Sequence, residues 1–349
     1  MTSLVRKFIP RTSFPDYRVS LTDFKGHHVK ALNKLTQIAP QLDLVFEVRD
    51  ARAPLSTRNV LFEKILGNKP KVVLYSKKDL STIDVELLTK WHKDEKFMFV
   101  NCKSRTDATN IIEIAKAHYE EMEPRPPLGL RMIITGMPNV GKSTLVNTLR
   151  AVGLNSTRKV AKTGGQPGVT RSTSSIIKIN ENPEILLYDT PGVFIPRVEN
   201  SERMIVLSLV GAVSPTIVDP VIQADYLLYL INLQNPTLYS QYLKTPTNDV
   251  YTLLRAISKK IKKYNSRTKD FDEKGTALHW IDGFKQGKTG RLKFDVDSIV
   301  KSDIFDYQAH QKQEIERLSQ MDNVLNKKKN TDGKRSLAEK VSRNVNKLF

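Results

Sequence analysis

The chain has 349 residues, which is enough for two domains that each bury a core, and its 39% hydrophobic and 27% charged content is typical of a globular protein. The net charge of +19, from 56 Lys and Arg against 37 Asp and Glu, favours a polyanionic partner such as nucleic acid or an anionic membrane surface. The single cysteine, Cys102, excludes an internal disulfide and a structural zinc site built on cysteines.

Residues 1–20 are interpreted as a basic leader. The first 15 residues contain three basic side chains, four hydroxyl side chains and no acid, which is the composition of a mitochondrial transit peptide. An ordinary basic tail has the same composition, and Pro10 and Pro15 interrupt the amphipathic helix of an import signal. A transit peptide and a simple tail both remain open.

Five short apolar runs between residues 43 and 189 predict buried strands. They are rich in Val, Ile, Leu and Phe and do not alternate with polar residues, as expected for strands of a parallel sheet covered on both faces. Helical patterns lie between them, so the sequence predicts an α/β, doubly wound, mostly parallel sheet. The runs are LDLVFEVRD, KVVLYSKKD, KFMFVNCKS, GLRMIITG and EILLYDTPG. Ligands of such sheets bind beyond the carboxyl ends of the strands.

The character of the chain changes near residue 199. We predict a sheet domain over residues 21–198, a smaller α-helical domain over 199–320, and a basic tail over 321–349 that is suited to folding on a polyanion. Residues 259–349 contain 22 Lys and Arg against 13 Asp and Glu, so the positive charge is concentrated late in the chain.

The longest apolar stretch begins at Met204. Pro215, Asp219 and Pro220 interrupt it, so it predicts a buried helix followed by a turn. A membrane span needs about 20 consecutive apolar residues, and the sequence therefore predicts no transmembrane segment.

The segment GMPNVGKST, residues 136–144, follows one predicted strand and opens a helix, the context required of a G-x-x-x-x-G-K-[ST] phosphate loop. Its two glycines let backbone N–H groups face phosphates, and the helix N-terminus adds positive potential. Lys142 is expected to reach the β- and γ-phosphates, and Ser143 to bind Mg²⁺. The predicted nucleotide contacts are Asn139, Val140, Gly141, Lys142, Ser143 and Thr144.

The segment YDTPG ends a later strand. Asp189 can hold Mg²⁺ through a water molecule, and the N–H of Gly192 can sense the γ-phosphate. Between this segment and the phosphate loop lies GGQPGVTRST, a Gly- and Pro-rich loop typical of a mobile switch. Thr170 is the candidate to close on Mg²⁺ and the γ-phosphate, with Thr163 and Thr173 as alternatives.

The segment YSKKDL has the spacing of a guanine-recognition loop, with Ser76 where Asn or Thr is expected. A carboxylate at Asp79 would accept two hydrogen bonds from the guanine ring N–H and amine, a donor pair that adenine lacks. The stem of Lys77 would cover the base or brace the phosphate loop. Ser76 is shorter than Asn, and we expect it to lose a polar contact.

One strand–helix unit later, NCKS provides a second base loop. Its main-chain N–H groups can meet the base carbonyl, which makes Asn101, Cys102 and Lys103 candidate nucleotide contacts. Both base loops precede the phosphate loop in the chain, so the order is a circular permutation of a usual G domain. A sheet tolerates this when its chain ends lie close together at the surface. The loops that sense the γ-phosphate then lead directly into the helical domain.

The sequence resembles the circularly permuted GTPases of ribosome assembly, the bacterial RbgA/YlqF group and its mitochondrial relatives. The resemblance covers most of residues 21–295. Besides the nucleotide loops it includes DFKGHHVKAL, DLVFEVRDARAPLSTRN, GVFIPRVENSERMIVLSLVGAV and WIDGFKQGKTGRLKFD. The departures from the family pattern are Lys25 for proline, His28 for methionine and Ser76 for asparagine.

The resemblance implies hydrolysis of GTP to GDP, with Mg²⁺, coupled to maturation of a large ribosomal subunit. Together with the basic leader, it implies the mitochondrial matrix, with the mitochondrial large subunit and its rRNA as partners and peripheral contact with the anionic inner membrane. His27 matches the family histidine implicated in hydrolysis, although a histidine in an ordinary loop is equally consistent. Asn139 matches the asparagine that helps potassium-dependent relatives hold K⁺. Val193 occupies the place of the water-orienting glutamine of Ras-like enzymes, which an apolar side chain cannot replace.

Several alternatives remain open on the sequence. The segment Asp50–Arg52 is interpreted as a structural turn with an internal salt bridge, in preference to a nucleotide contact. The leading function is a GTPase switch that binds rRNA through its basic C-terminal half. The alternatives are a non-catalytic RNA-binding scaffold with a structural nucleotide, the same GTPase acting on another ribonucleoprotein, and an ATP-dependent kinase.

Overall fold

The fold was analysed from a computed structural model of the chain. The structure describes residues 8–93, 95–156, 176–264, 270–288, 290–295 and 305–329, with side chains as far as residue 320.

A six-stranded sheet forms the centre of the molecule, with strand order β3-β2-β1-β4-β6-β5. Five strands are parallel, and β5 at one edge runs antiparallel to β6. The strands are β1 (Leu44–Asp50), β2 (Lys71–Ser76), β3 (Lys96–Val100), β4 (Leu130–Thr135), β5 (Ile176–Asn180) and β6 (Ile185–Asp189). The α/β, mostly parallel fold class is therefore confirmed.

Both faces of the sheet are covered, which explains why the strand sequences do not alternate. In β1, Phe46 and Val48 pack in the apolar cluster on one face, while Val45 packs in the cluster on the other. All seven residues of β1 are buried. A strand with two covered faces gains burial free energy from every apolar side chain, at about 25 cal/mol per Å².

Helices connect the strands and then form a second layer. They are α1 (Gly26–Ile38), α2 (Val60–Leu66), α3 (Val85–Trp91), α4 (Arg105–Glu121), α5 (Lys142–Gly153), α6 (Ser201–Leu209), α7 (Pro220–Gln234), α8 (Val250–Ile261), α9 (Glu273–Lys285) and α10 (Tyr307–Lys329). Side chains cap many of their N-termini, as when Ser104 accepts a hydrogen bond from the N–H of Asp107 at the start of α4. None of the helices in the described ranges is long and apolar enough to cross a membrane.

The helices after residue 199 are not separated from the sheet by a polar boundary. A single apolar cluster contains strand residues such as Ile134 and Leu187 as well as Met204 of α6 and Leu227 of α7. Helix α7 is buried almost all round, from Gln223 to Asn232, because α6, α8 and α9 all pack against it. Because α6 and the sheet share this apolar cluster, a displacement of α6 would change the packing of the sheet core.

Helix α10 returns to the sheet domain, which differs from the predicted helical domain over 199–320. Tyr307 stacks on Trp91 of α3 with ring centroids 5.4 Å apart, and Leu318 joins the cluster formed by α1 and α2. Glu314 forms a buried ion pair with Arg203 of α6. The helix also runs on to Lys329, beyond the predicted start of the tail at residue 321. Ile315 and Leu318 are three residues apart on one face of the helix, and both pack against the α1–α2 cluster.

Part of the predicted leader is packed against the helical layer. The guanidinium of Arg11 donates to both carboxylate oxygens of Asp225 in α7, at 2.7 and 3.1 Å. Phe14 is 8% exposed and lies among the rings of Tyr17, Tyr226 and Tyr229. The segment from residue 8 therefore belongs to the folded protein, while residues 1–7 lie outside the described ranges.

Candidate nucleotide-binding site

The predicted phosphate loop lies between β4 and α5, at the carboxyl edge of the sheet. Gly136 and Gly141 have φ angles of 143° and 110°, which side chains with a Cβ rarely adopt. A Cβ on Gly136 would lie 2.3 Å from the carbonyl oxygen of Val48, and one on Gly141 would lie 2.8 Å from Sγ of Cys102. Strand β1 and the loop after β3 therefore approach the phosphate loop directly, and both glycines are required by this close approach.

Lys142 is buried at the first position of α5. Its ammonium donates to the carbonyl oxygen of Met137, 2.7 Å away, so it lies across the phosphate loop. Burial lowers the pKa of Lys142 to about 8, and the charge of Asp189 opposes this shift. A phosphate group in the loop would restore the counter-charge that the buried ammonium lacks.

The residues expected to hold Mg²⁺ fit that ion. Asp189 is 8% exposed at the end of β6, and its Oδ1 atom is buried with no hydrogen-bond partner among the described residues. Burial raises the pKa of this carboxyl, while the charge of Lys142 lowers it. Mg²⁺ sites in nucleotide enzymes use one or two protein oxygens together with phosphates and waters. Asp189 and the hydroxyl of Ser143 at the start of α5 are suitable donors, whereas Thr170 lies outside the described residues.

The loop after β6 packs closely on the phosphate loop. A Cβ on Gly192 would lie 2.5 Å from Cα of Pro138, so only glycine fits this contact. The N–H of Val193 donates to the carbonyl oxygen of Gly136 at 3.4 Å. The side chain of Val193 is 2% exposed within the α1–α2 cluster. It is directed into the core and cannot orient water.

Ser76 is fully buried at the end of β2, and its hydroxyl contacts two main-chain carbonyl groups. It donates to Val140 of the phosphate loop at 2.6 Å and lies 3.1 Å from the carbonyl oxygen of Arg49. The short side chain thus makes a direct bond to the phosphate loop, which the sequence comparison with asparagine did not suggest.

Lys77 braces the phosphate loop, one of the two roles left open by the sequence. Its ammonium donates to the carbonyl oxygen of Asn139 at 3.0 Å and to Oδ2 of Asp50 at 2.8 Å. Asp79, two residues on, is exposed at the site edge. Asp50 also pairs with Arg52 at 2.8 Å, so the internal salt bridge predicted for this turn is present.

The second base loop is tied to the first and to α5. The ammonium of Lys78 lies 3.2 Å from the carboxylate of Asp107, whose other contact is the N–H of Asn101 at 2.7 Å. The carbonyl oxygen of Cys102 accepts from the hydroxyl of Thr148 in α5 at 2.7 Å. Lys103 is exposed. The structure thus brings the loops that contain Ser76, Asn101 and Gly141 to one place.

His27 lies at the start of α1, half-buried, with its ring centroid 4.1 Å from that of His28. Burial lowers the pKa of His28 to about 3, with further lowering by the charges of His27, Lys25 and Lys142. His28 is therefore close enough to the phosphate loop for its ionisation to be affected by Lys142. Nδ1 of His28 accepts from the N–H of Lys25 at 3.0 Å and caps the helix, so the two family departures at 25 and 28 form one local contact.

These loops can be compared with those of known proteins. A sequence profile described as "50S ribosome-binding GTPase" matches residues 131–269. The chain is similar to "Mitochondrial GTPase 1" of Saccharomyces cerevisiae, with 40% identity over 91% of this chain and 92% of the relative. It is 34% identical to "Mitochondrial GTPase 1" of Schizosaccharomyces pombe over 85% of this chain and 95% of the relative. It is also 33% identical to "Mitochondrial ribosome-associated GTPase 1" of Mus musculus over 79% and 90%.

The chain belongs to the mitochondrial GTPase 1 family. It is a GTPase, so its nucleotides are GTP and GDP, and its domain type typically uses Mg²⁺. The strand order fits this assignment, because the phosphate-loop strand β4 lies between β6, which leads to Asp189, and β1, with the base-loop strands beyond. The permuted chain therefore builds a sheet with the functional loops of a G domain side by side.

Sequence reasoning missed two links between this GTPase site and the rest of the chain. The side-chain amide of Asn139 donates to the carbonyl oxygen of Gly211, just after α6, at 2.8 Å. On the other side, the N–H of Phe294 donates to the carbonyl oxygen of Arg52 at 2.7 Å. The GRLKFD segment was recognised only as a family resemblance. No local pattern in the sequence predicts its contact with Asp50–Arg52.

Proposed function

We propose that this protein is a mitochondrial GTPase that acts as a switch in assembly of the mitochondrial large ribosomal subunit, supporting mitochondrial translation. The observation that carries the proposal is the bond between the base loop and the phosphate loop, from Lys77 to the carbonyl oxygen of Asn139. The names of the relatives, with "mitochondrial" and "ribosome-associated", support the location and the partner. A scaffold with a structural nucleotide does not need a buried Oδ1 atom of Asp189 that has no hydrogen-bond partner among the described residues.

In this proposal the residues around the phosphates divide into those that bind phosphate, those that hold Mg²⁺ and one that senses the γ-phosphate. The backbone of Asn139–Thr144 and the ammonium of Lys142 bind the phosphates, and Ser143, Asp189 and Thr170 hold Mg²⁺. The chemistry that Mg²⁺ would supply at these residues is a positive charge that offsets the negative charge developing on the phosphate during hydrolysis. The N–H of Gly192 senses the γ-phosphate, and its close contact with Pro138 makes the position of this loop depend on the phosphate loop.

Orientation of the attacking water needs a group other than Val193. We propose His27, since it lies at the start of α1 beside His28, whose ionisation is affected by Lys142. A ring nitrogen can accept a proton from water or hold it by a hydrogen bond. We also propose K⁺ beside Asn139, because this residue matches the phosphate-loop asparagine of potassium-dependent relatives.

The enzymatic part is tested by phosphate release at steady state, with and without purified mitochondrial large subunits. We expect slow intrinsic turnover, stimulation by the subunits, and loss of both in Lys142→Ala. Potassium dependence is tested by replacing K⁺ with Na⁺ at constant ionic strength. Release no greater than that of Lys142→Ala would refute catalysis, and competition by ATP would support the kinase alternative.

We propose that rRNA binds at the end of α8, where the sequence has its densest basic cluster. Lys259 and Lys262 are exposed there, and Tyr251 and Tyr264 are 47% and 52% exposed on the same helix and its extension. Two neighbouring lysines have internal partners, since Lys260 lies over the ring of Tyr242 and Lys263 donates to Gly275. Exposed cations beside exposed aromatic rings suit phosphates and unpaired bases.

This surface is tested by filter binding of large-subunit rRNA at several salt concentrations. The double variant Lys259→Glu/Lys262→Glu should bind more weakly, with a salt slope smaller by roughly 0.7 to 0.9 for each lost phosphate contact. The matched control is Lys90→Glu/Lys93→Glu, the same charge change at exposed lysines near α3. Equal loss in both variants would indicate a general effect of net charge and would refute the α8 site.

For location we propose the matrix, with peripheral contact between the basic surface and the anionic inner membrane. Residues 199–320 and the tail 321–349 would serve RNA binding, and residues 21–198 nucleotide binding. Because Arg11 and Phe14 are packed in the folded protein, an import signal that is cleaved should end before them. Imaging of a residues 1–30 reporter fusion and N-terminal sequencing of the imported protein test this. A cytosolic signal, or cleavage after Phe14, would contradict it.

A further inference from the structure

Two left-handed residues face each other across the nucleotide site. Lys77 has a φ of 57° and Asn139 a φ of 58°, and neither is glycine. Such a conformation is strained for a residue with a Cβ and persists only where surrounding contacts hold it. The two residues are joined directly, because the ammonium of Lys77 donates to the carbonyl oxygen of Asn139 at 3.0 Å. The base loop and the phosphate loop therefore hold each other in strained conformations.

A third residue, Asp50 at the end of β1, completes this contact. Its Oδ2 atom accepts from Lys77 at 2.8 Å and from Nη2 of Arg52 at 2.8 Å, and its Oδ1 accepts from Nε of Arg52 at 2.9 Å. The carboxylate is 1% exposed. Burial opposes its ionisation, but the charges of Arg52 and Lys77 hold the pKa of Asp50 well below its usual range.

The carboxylate is also what keeps Lys77 in place as a cation. Burial lowers the pKa of Lys77, and the charge of Asp50 is the main opposing influence. Without this counter-charge, the partly buried ammonium would keep its hydrogen bond to the carbonyl oxygen of Asn139 but would lose its ion pair, which is a costly arrangement. The side chain of Lys77 would then leave this position, and the phosphate loop would lose the hydrogen bond that braces it.

We propose that Asp50 is a positioning residue for the guanine nucleotide, because its carboxylate holds Lys77 against Asn139 and thereby fixes the base loop relative to the phosphate loop. This inference rests on the role proposed for Asp79, which follows Lys77 by two residues. A nucleotide contacts both loops at once, so a fixed spacing lowers the ordering cost of binding. Asp50 acts through Lys77 and touches neither phosphate nor water.

The role predicts a specific kinetic pattern. Loss of the carboxylate should weaken the binding of GTP and of GDP equally, since both nucleotides carry the base and the β-phosphate. It should raise KM while kcat at saturating GTP stays close to the wild-type value. The preference for GTP over ITP, which lacks the exocyclic amine, should also fall, because Asp79 is no longer held at one distance from the phosphates.

The first comparison uses Asp50→Asn and Glu47→Gln. Glu47 is a matched control: it lies in the same strand, is also 1% exposed, and pairs with the arginine two residues on, at 2.8 Å from Arg49. It does not contact Lys77. We expect Asp50→Asn to raise the Kd for GDP by about 10- to 100-fold, the range for loss of a hydrogen bond to a charged group. Equal weakening in Glu47→Gln would show a merely structural effect and overturn the proposal.

A double-mutant cycle covers the case in which Asp50→Asn folds poorly. Lys77→Gln removes the cation, and the combination with Asp50→Asn leaves no unpaired charge from this pair. If Asp50 acts through Lys77, the double variant should bind GDP no more weakly than Lys77→Gln alone. Additive losses would overturn the proposal. Failure of Asp79→Asn to change base preference, with the cycle behaving as expected, would instead refute the role of Asp79 and leave the brace intact.

Discussion

Replacement of Phe14 tests whether the N-terminal segment is part of the fold. Phe14 is 8% exposed and forms an edge contact with Tyr226 at a centroid distance of 4.8 Å, with two further rings within 5.6 Å. The guanidinium of Arg11 lies 5.5 Å from its centroid. Phe14→Ala therefore removes one nearly buried ring and several ring contacts at once.

The expected loss can be worked from these contacts. An aromatic side chain buries roughly 150–250 Å², which at 25 cal/mol per Å² is about 4–6 kcal/mol, and the measured range for Phe→Ala is about 3–5 kcal/mol. We take about 4 kcal/mol. At about 2 °C per kcal/mol for a chain of this size, the melting temperature should fall by about 8 °C.

The assay is thermal unfolding followed by circular dichroism, with Ile9→Ala as the matched control. Ile9 lies in the same segment but is 75% exposed, so its truncation should change the free energy of unfolding by less than about 0.5 kcal/mol. If the two variants melt within about 2 °C of each other, Phe14 is not packed on α7. The segment would then be an unattached leader, and the reasoning from burial would be refuted.

Four further outcomes are expected. Gly192→Ala should weaken GTP more than GDP by about 5- to 100-fold, because a Cβ 2.5 Å from Cα of Pro138 displaces the γ-phosphate-sensing loop at about 1–3 kcal/mol; equal Kd changes would contradict this. Since the pKa of Lys142 is about 8 and bound phosphates would raise it, GTP affinity measured by calorimetry should fall as pH rises above 8, and a flat profile would exclude the linkage. In the absence of nucleotide this lysine binds fewer protons when folded than when unfolded between pH 8 and 10.5, so its contribution to the unfolding free energy rises with pH there. Asp79→Asn should shift preference from GTP to xanthosine triphosphate in competition binding, and an unchanged preference would remove Asp79 from base recognition.

The five parallel strands were predictable because the sheet is covered on both faces, which leaves an apolar run in the sequence of each. The edge strand β5, whose first residues alternate between exposed and buried, was not among the predicted strands. The phosphate loop was predictable because it needs glycines at fixed positions, and the structure gives Gly136 and Gly141 positive φ angles. The proximity of the base loops to the phosphate loop was predictable because all of these loops follow the carboxyl ends of parallel strands in one sheet. These features depend on local sequence or on simple topology.

Other features depend on contacts between distant segments. No spacing rule connects Asp50 with Lys77, or Asn139 with Gly211, because those pairs are made by the tertiary fold. The packing of α10 depends on tertiary contacts in the same way, since Leu318 of this polar helix lies in the cluster formed by α1 and α2. Ser76 was expected to lose a contact because its length was compared with asparagine; its actual partner, Val140, is within reach of a hydroxyl.

The division of the sheet has a consequence for the way the protein holds together. Strands β1–β3 come from the chain before residue 122 and supply the base loops, whereas β4–β6 come from the chain after residue 129 and supply the phosphate and Mg²⁺ loops. The two halves meet along the seam between β1 and β4. A nucleotide that binds both sets of loops therefore stabilises the association of the two halves. At a concentration 1,000 times its Kd, the nucleotide makes the free energy of association of the two halves about 4 kcal/mol more favourable. Cleavage of the chain within residues 122–129 would thus give two complementing fragments. The extent of their association would report the binding of guanine nucleotide.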